Sequence, residues 1–168
     1  MKPVHITQLH SIDAYLEQLS QLIIQVVDSN ASIGFLPPLS VTDATEYWKT
    51  VLAPEVALLV AIVNNQVVGT IQLQLVTKQN GTHRAEIAKL MTHPKHRRKG
   101  IGQALMIEAE KLAKQKGRSL LVLDTREGDP SNNLYRTLGY IQAGRIPNFA
   151  KSSQGRLDAT ILYYKELL

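Results

Sequence analysis

Residues 93–105 read HPKHRRKGIGQAL, and here side-chain type and spacing are most suggestive of chemistry. Five consecutive residues, Lys95 to Lys99, are basic, and Gly100 and Gly102 follow at once. From Gly100 the pattern is helical, with Ile101, Leu105, Ala109 and Leu112 forming an apolar stripe. A helix start leaves its first N–H groups unpaired and carries partial positive charge, which suits an anion. Glycine at 100 and 102 lets the backbone approach that anion without an intervening Cβ. Arg97, Arg98 and Lys99 add full charges at the rim. A diphosphate-sized guest fits this description. A Walker-type loop is ruled out, because Gly followed five residues later by Gly-Lys-Ser/Thr is absent. A dinucleotide fingerprint needs a third glycine where Leu105 stands. Nucleic acid, or nothing but solvent, is the remaining alternative for a bare basic turn.

The elements that must position this turn can be read on both sides of it. An extended opening, VHITQL, leads to a helix from about Asp13, with Leu16, Leu19, Ile23 and Val26 on its inner face. It should stop near Asn30, since ASIGFLPPLS breaks helices. A second helix is predicted from Thr42, capped by Thr42 or Asp43, with Trp48, Val51 and Leu52 inward. VALLVAIV and QVVGTIQLQLV flank Asn64-Asn65 and read as a hairpin. Asn80-Gly81 marks another turn, and RAEIAKLMT follows as a fourth strand. Beyond the glycine turn, Glu110 and Lys114 should pair along the helix and Gly117 should end it. SLLVLD lacks polar alternation before Asp124, as in a strand covered on both faces. SNNLYRTLG is a short helix ended by Gly139, YIQAGRI a strand, PNFAKSSQGRLD a loop and ATILYYKEL the last strand. Ile87 to Leu123 reads as a strand–helix–strand crossover. The expectation is one mixed α/β domain over residues 1–168.

Bulk properties narrow the function classes. The chain has 168 residues, 44% hydrophobic and 20% charged, enough for a real core. With no cysteine, disulfides, thiolate metal sites and thiol-bound intermediates are excluded. The net charge of +5 suits an anionic ligand but does not demand nucleic acid. No charged-then-apolar leader opens the sequence and no apolar run approaches a membrane span, so a cytoplasmic protein is expected. His83, His93 and His96 are not spaced as metal ligands.

Arg97-x-x-Gly100-x-Gly102, after a strand and opening a helix, resembles the coenzyme-A pyrophosphate loop of the GNAT superfamily of N-acetyltransferases. IAKLMTHP upstream resembles that family's fourth strand, and NLYRTLGY downstream its tyrosine-bearing helix and following strand. ASIGFLPPL, NGTHRAEIAKLM, LVLDT and GRLDATILYYKEL are similar to the tabtoxin-resistance acetyltransferases, which inactivate a β-lactam-bearing amino-acid toxin. The resemblance implies a central mixed, largely antiparallel sheet of about seven strands flanked by about four helices. It also implies direct acetyl transfer from acetyl-coenzyme A to a primary amine. A small-molecule amine is the expected acceptor, with a protein or peptide amine as the enzymatic rival. A nucleic-acid-binding module using the basic turn is the rival of another class. Neither nucleic acid nor a membrane is expected as partner, and a homodimer is compatible with this reading.

Roles follow by resemblance. Backbone at Leu90, Met91 and Thr92 would pair with pantetheine, and loop amides from Arg98 through Lys99, Gly100, Ile101 and Gly102 to Gln103 would take the pyrophosphate, with Arg97 at the rim. The amide near Leu90 or Met91 would polarise the thioester carbonyl. An alkylammonium is almost wholly protonated at neutral pH, so a carboxylate must collect a proton; Glu86 and Asp124 match acids of the tabtoxin-resistance pattern. Tyr135 stands at the family's tyrosine position and would protonate the departing thiolate. The family's pantetheine-contacting asparagine, seven residues earlier, is replaced by Gly128; either Asn132 or Asn133 substitutes for it or the contact is missing. Phe35, Trp48 and Tyr15 are candidates to line the acceptor pocket. No metal is called for.

Overall fold

Asn64 and Asn65 both adopt left-handed backbone, φ 51° and 62°, which asparagine tolerates better than most residues. They join β2 (Val56–Val63) to β3 (Gln66–Leu75) in an antiparallel hairpin. The computed structural model describes residues 2–168. Around that hairpin it assembles a seven-stranded sheet with β1 (His5–Leu9), β4 (Arg84–Thr92), β5 (Leu120–Arg126), β6 (Ile141–Lys151) and β7 (Leu157–Glu166). The order is β1-β2-β3-β4-β5-β7-β6. Only β4 and β5 run parallel, joined by the crossover helix α3 (Ile101–Gln115). The remaining helices are α1 (Leu16–Asp28), α2 (Val41–Lys49) and α4 (Ser131–Thr137). A mixed, mostly antiparallel sheet with four helices is therefore the fold.

Strand alternation divides the core in two. Leu59, Ile71, Leu73, Ile87, Leu121 and Leu123 face α3 and α4, meeting Leu105, Met106 and Tyr135. Leu58, Val60 and Met91 face α1 and α2, meeting Leu19, Ile23 and Trp48. Burying each such aliphatic side chain contributes about 1.5–3 kcal/mol. Among the described residues no helix is long and apolar enough to cross a membrane.

Several local expectations need correction. The cap of α2 is Ser40, whose Oγ accepts from the Asp43 N–H at 3.0 Å, so Thr42 and Asp43 lie inside the first turn. Glu110 does not pair with Lys114. Lys165 Nζ donates to both Glu110 carboxylate oxygens at 3.0 and 2.9 Å and to the Leu138 carbonyl at 2.7 Å, a better-satisfied partner than an exposed neighbour one turn away. Strand β5 is sealed on one face only: Leu121 and Leu123 are buried, whereas Asp124 is exposed on the other. Residues PNFAK continue β6 as far as Lys151, because β7 supplies a ladder that polar composition does not reveal. Strand β6 is one of the sheet's two edge strands, β1 being the other; it is exposed along almost its whole length, with an irregular register between Ile146 and Ala150 around Pro147 and Asn148.

Candidate active site

The site begins where the sheet comes apart. β4 and β5 pair only from Arg84↔Leu120 to Glu86↔Val122, yet β4 continues to Thr92 and β5 to Arg126. Past Glu86 their facing edges have no ladder partner. Unpaired strand edges accept an added extended chain carrying its own amides.

An extra residue in β4 sharpens this feature. Gln72 pairs with Ala88 and Thr70 with Met91, so two steps on β3 match three on β4. That is a β-bulge, and Lys89 sits in it with φ 52°. The bulge reverses the alternation: Ala85 and Ile87 face α3, and so does Leu90, while Met91 turns to the α1–α2 side. Thr70 Oγ1 donates to the Lys89 carbonyl at 3.2 Å and steadies the kink.

The next feature is the start of α3. Its first internal bond runs from the Ala104 N–H to the Gly100 carbonyl, and no side chain caps the helix. The amides of Ile101, Gly102 and Gln103 thus have no acceptor within the helix. Gly100 has φ 80°, a conformation that costs other residues, and nothing lies within 4 Å of a Cβ built there. Gly102 is small for a different reason: a Cβ would stand 3.3 Å from Leu134 of α4. The charges around this turn are partly engaged. Arg97 donates from Nη2 to Ser29 Oγ at 2.8 Å and from Nε to the Thr92 carbonyl at 3.4 Å, and Lys99 Nζ donates to the Lys95 carbonyl.

One open cavity of about 840 Å³ connects the turn to the strand split. Leu90, Met91, Thr92, Arg97, Arg98, Gly100, Ile101, Gly102 and Gln103 line it, and so do Glu86, Asp124 and Tyr135. Glu86 and Asp124 lie on the α1–α2 side of the sheet, since their neighbours Ile87 and Leu123 point to α3. Partial withdrawal from water, and then the charge of Asp124, push the Glu86 carboxyl above its ordinary range. Asp124 Oδ2 accepts from Thr160 Oγ1 at 2.8 Å, which fixes its orientation. Tyr135 is 5% exposed, its ring against Tyr140 and Tyr163. Burial foremost, then the charges of Asp124 and Asp129, raise its phenol far above 10, so it stays protonated. Its hydroxyl has no hydrogen-bond partner among the described residues.

Some sequence candidates lie elsewhere. Lys99, Asn132 and Asn133 do not line the cavity. Asn132 is buried and fully engaged: Nδ2 donates to the carbonyls of Arg126 and Asp129, and Oδ1 accepts from Tyr163 Oη at 2.7 Å. Asn133 Oδ1 accepts from Arg136 on the surface. Phe35 lines a smaller neighbouring pocket, Trp48 is wholly buried and Tyr15 is outside both; Phe149 of β6 lines the main cavity instead. Lys89 and Thr160 were not anticipated. A bulge belongs to two strands together, and β5–β7 pairing is what brings Thr160 to Asp124. Among the described residues no group of three or more His, Asp or Glu could hold a metal.

Comparison with known proteins bears on this geometry. The Acetyltransferase (GNAT) family model matches residues 24–140. A ribosomal-protein-alanine N-acetyltransferase from Brucella melitensis superposes with a TM-score of 0.83 at 20% identity, over 97% of this chain and 99% of that one. A provisionally named acetyltransferase from Salmonella typhimurium, solved with its cofactor acetyl-CoA, has a TM-score of 0.81 at 17% identity, over 98% and 94%. A provisionally named phosphinothricin N-acetyltransferase gives 0.82 at 19% identity, over 99% of each chain. These structures share the fold, and the family match spans the strand split, the bulge and the glycine turn: the chain belongs to the GNAT family of acetyltransferases.

Proposed function

We propose that this chain, as a single domain, transfers the acetyl group of acetyl-CoA to the primary amine of a small molecule, by direct attack in a ternary complex. The observation that carries the reading is the continuity of one cavity from the uncapped amides of α3, along the open edge of β4, to Glu86, Asp124 and Tyr135. Its residues fit the carrier. Three free amides and Arg98 suit a pyrophosphate, and the unpaired edge at Leu90–Thr92 suits pantetheine amides. The bound carrier supplies the activated acetyl group.

The remaining work falls to the protein. Glu86 or Asp124 takes the proton from the acceptor's ammonium, freeing the nitrogen lone pair to attack the carbonyl carbon. The Leu90 or Met91 N–H donates to the carbonyl oxygen as charge gathers there, an interaction worth about 2.7–4 kcal/mol in comparable sites. As the carbon–sulfur bond breaks, Tyr135, which burial keeps protonated at rest, gives its proton to the leaving sulfur and regains one from the nitrogen of the collapsing intermediate. Within the family, the segments ASIGFLPPL, LVLDT and GRLDATILYYKEL support kinship with the tabtoxin-resistance enzymes, and hence an amino-acid-like toxin or antibiotic as acceptor.

A thermal shift assay tests the reading. At about 100 times its Kd, acetyl-CoA should stabilise by about 2.7 kcal/mol and raise Tm by about 5–10 °C. A shift with duplex DNA and none with acetyl-CoA would reject it. Thiol release across an amine panel, with peptide amines included, then separates the small acceptor from a protein one.

A further inference from the structure

Lys89 is the residue that the bulge adds to β4, and it has no role in the chemistry above. Its side chain lies on the α1–α2 side and crosses the cavity to the loop between those helices: Nζ lies 3.1 Å from where a Cβ on Gly34 would stand. The same cavity holds Glu86 and Asp124. Lys89 is partly buried, yet its ammonium makes no hydrogen bond and no ion pair within 4.0 Å among the described residues. The charges of Asp124 and Glu86 reach it without contact, and burial lowers its own proton affinity. An ammonium drawn out of water with its donors unused is costly unless a ligand completes it.

The cavity therefore offers two kinds of recognition side by side. Glu86 and Asp124 suit an incoming ammonium, and Lys89 suits an anionic group on the same molecule. We infer that Lys89 is a specificity-determining residue whose ammonium receives a carboxylate of the acceptor, so that amines of the amino-acid type are preferred over simple amines. This rests on the proposed acetyl transfer to a small amine. It assigns the far end of that acceptor.

Matched acceptors test it. Initial rates of thiol release are measured with acetyl-CoA and ornithine against putrescine, and lysine against cadaverine. The members of each pair differ only in the carboxylate. The wild-type enzyme should favour the carboxylated member by at least about tenfold in kcat/KM, the size of one charge-assisted hydrogen bond. Lys89→Met keeps the aliphatic stem and should bring that ratio towards one, chiefly through KM, whereas Lys89→Arg should retain most of it. An unaltered acetyl-CoA thermal shift verifies that both variants are folded. A wild-type ratio at or below one, or a ratio that survives Lys89→Met, overturns the assignment while leaving acetyl transfer intact. Acetylation of peptide amines alone, with neither pair turned over, rejects the small-amine reading as well.

Discussion

The phenol of Tyr135 is deeply buried, reaches the cavity and bonds to nothing else among the described residues. Removing its oxygen should therefore cost little stability. Tyr135→Phe is expected to lower turnover by about 10²-fold with Tm and acetyl-CoA affinity nearly unchanged, read by steady-state kinetics beside thermal denaturation. Glu86 makes a pH prediction. Desolvation and the Asp124 charge both hold its proton on, so it becomes a base only as pH rises through a value above the ordinary glutamate range of about 4.3. The acidic limb of kcat/KM should lie above that value. Asp124→Asn deletes one of the two raising influences, so the limb of the remaining activity should move to lower pH. Lys89 acts oppositely on Glu86, and Lys89→Met should move the limb upward. A limb that stays put in both variants would remove Glu86 as the titrating base.

The turn before α3 and the bulge in β4 illustrate how an element carries function. Gly100→Ala places a Cβ on left-handed backbone in open space, so its cost is conformational, about 1–2 kcal/mol, or a few degrees in Tm. Asn132→Ala should cost about 2 kcal/mol or more by leaving the Arg126 and Asp129 carbonyls and the buried Tyr163 hydroxyl without this partner, with acetyl-CoA affinity nearly unchanged. A selective loss of affinity would instead make Asn132 the pantetheine contact that Gly128 lacks. Much of this was legible in single segments. The Asn64-Asn65 hairpin, the bounds of β4 at Arg84 and Thr92, and the glycine opening α3 are local signals. What escaped was relational. Lys89 bulges because β3 and β4 count differently; Glu110 chooses Lys165 because β7 passes nearby; Phe149 reaches the cavity because β6 runs on along β7.

For the molecule as a whole, the sheet provides support and opening at once. Antiparallel pairs brace β4 and β5 on their outer sides, β3 against one and β7 against the other, so the gap between them persists without collapsing the core. The longer of the two edge strands faces a separate problem, since β6 offers a long, well-exposed margin that another polypeptide could extend. Pro147 removes one amide donor there, Asn148 turns the backbone at φ 55°, and Lys151 adds an exposed charge. The kinked margin thus discourages strand-on-strand stacking between copies. Replacing Pro147 and Asn148 with threonine should restore a continuous ribbon, and light scattering on warming should then report assembly at lower temperature than for the unaltered protein.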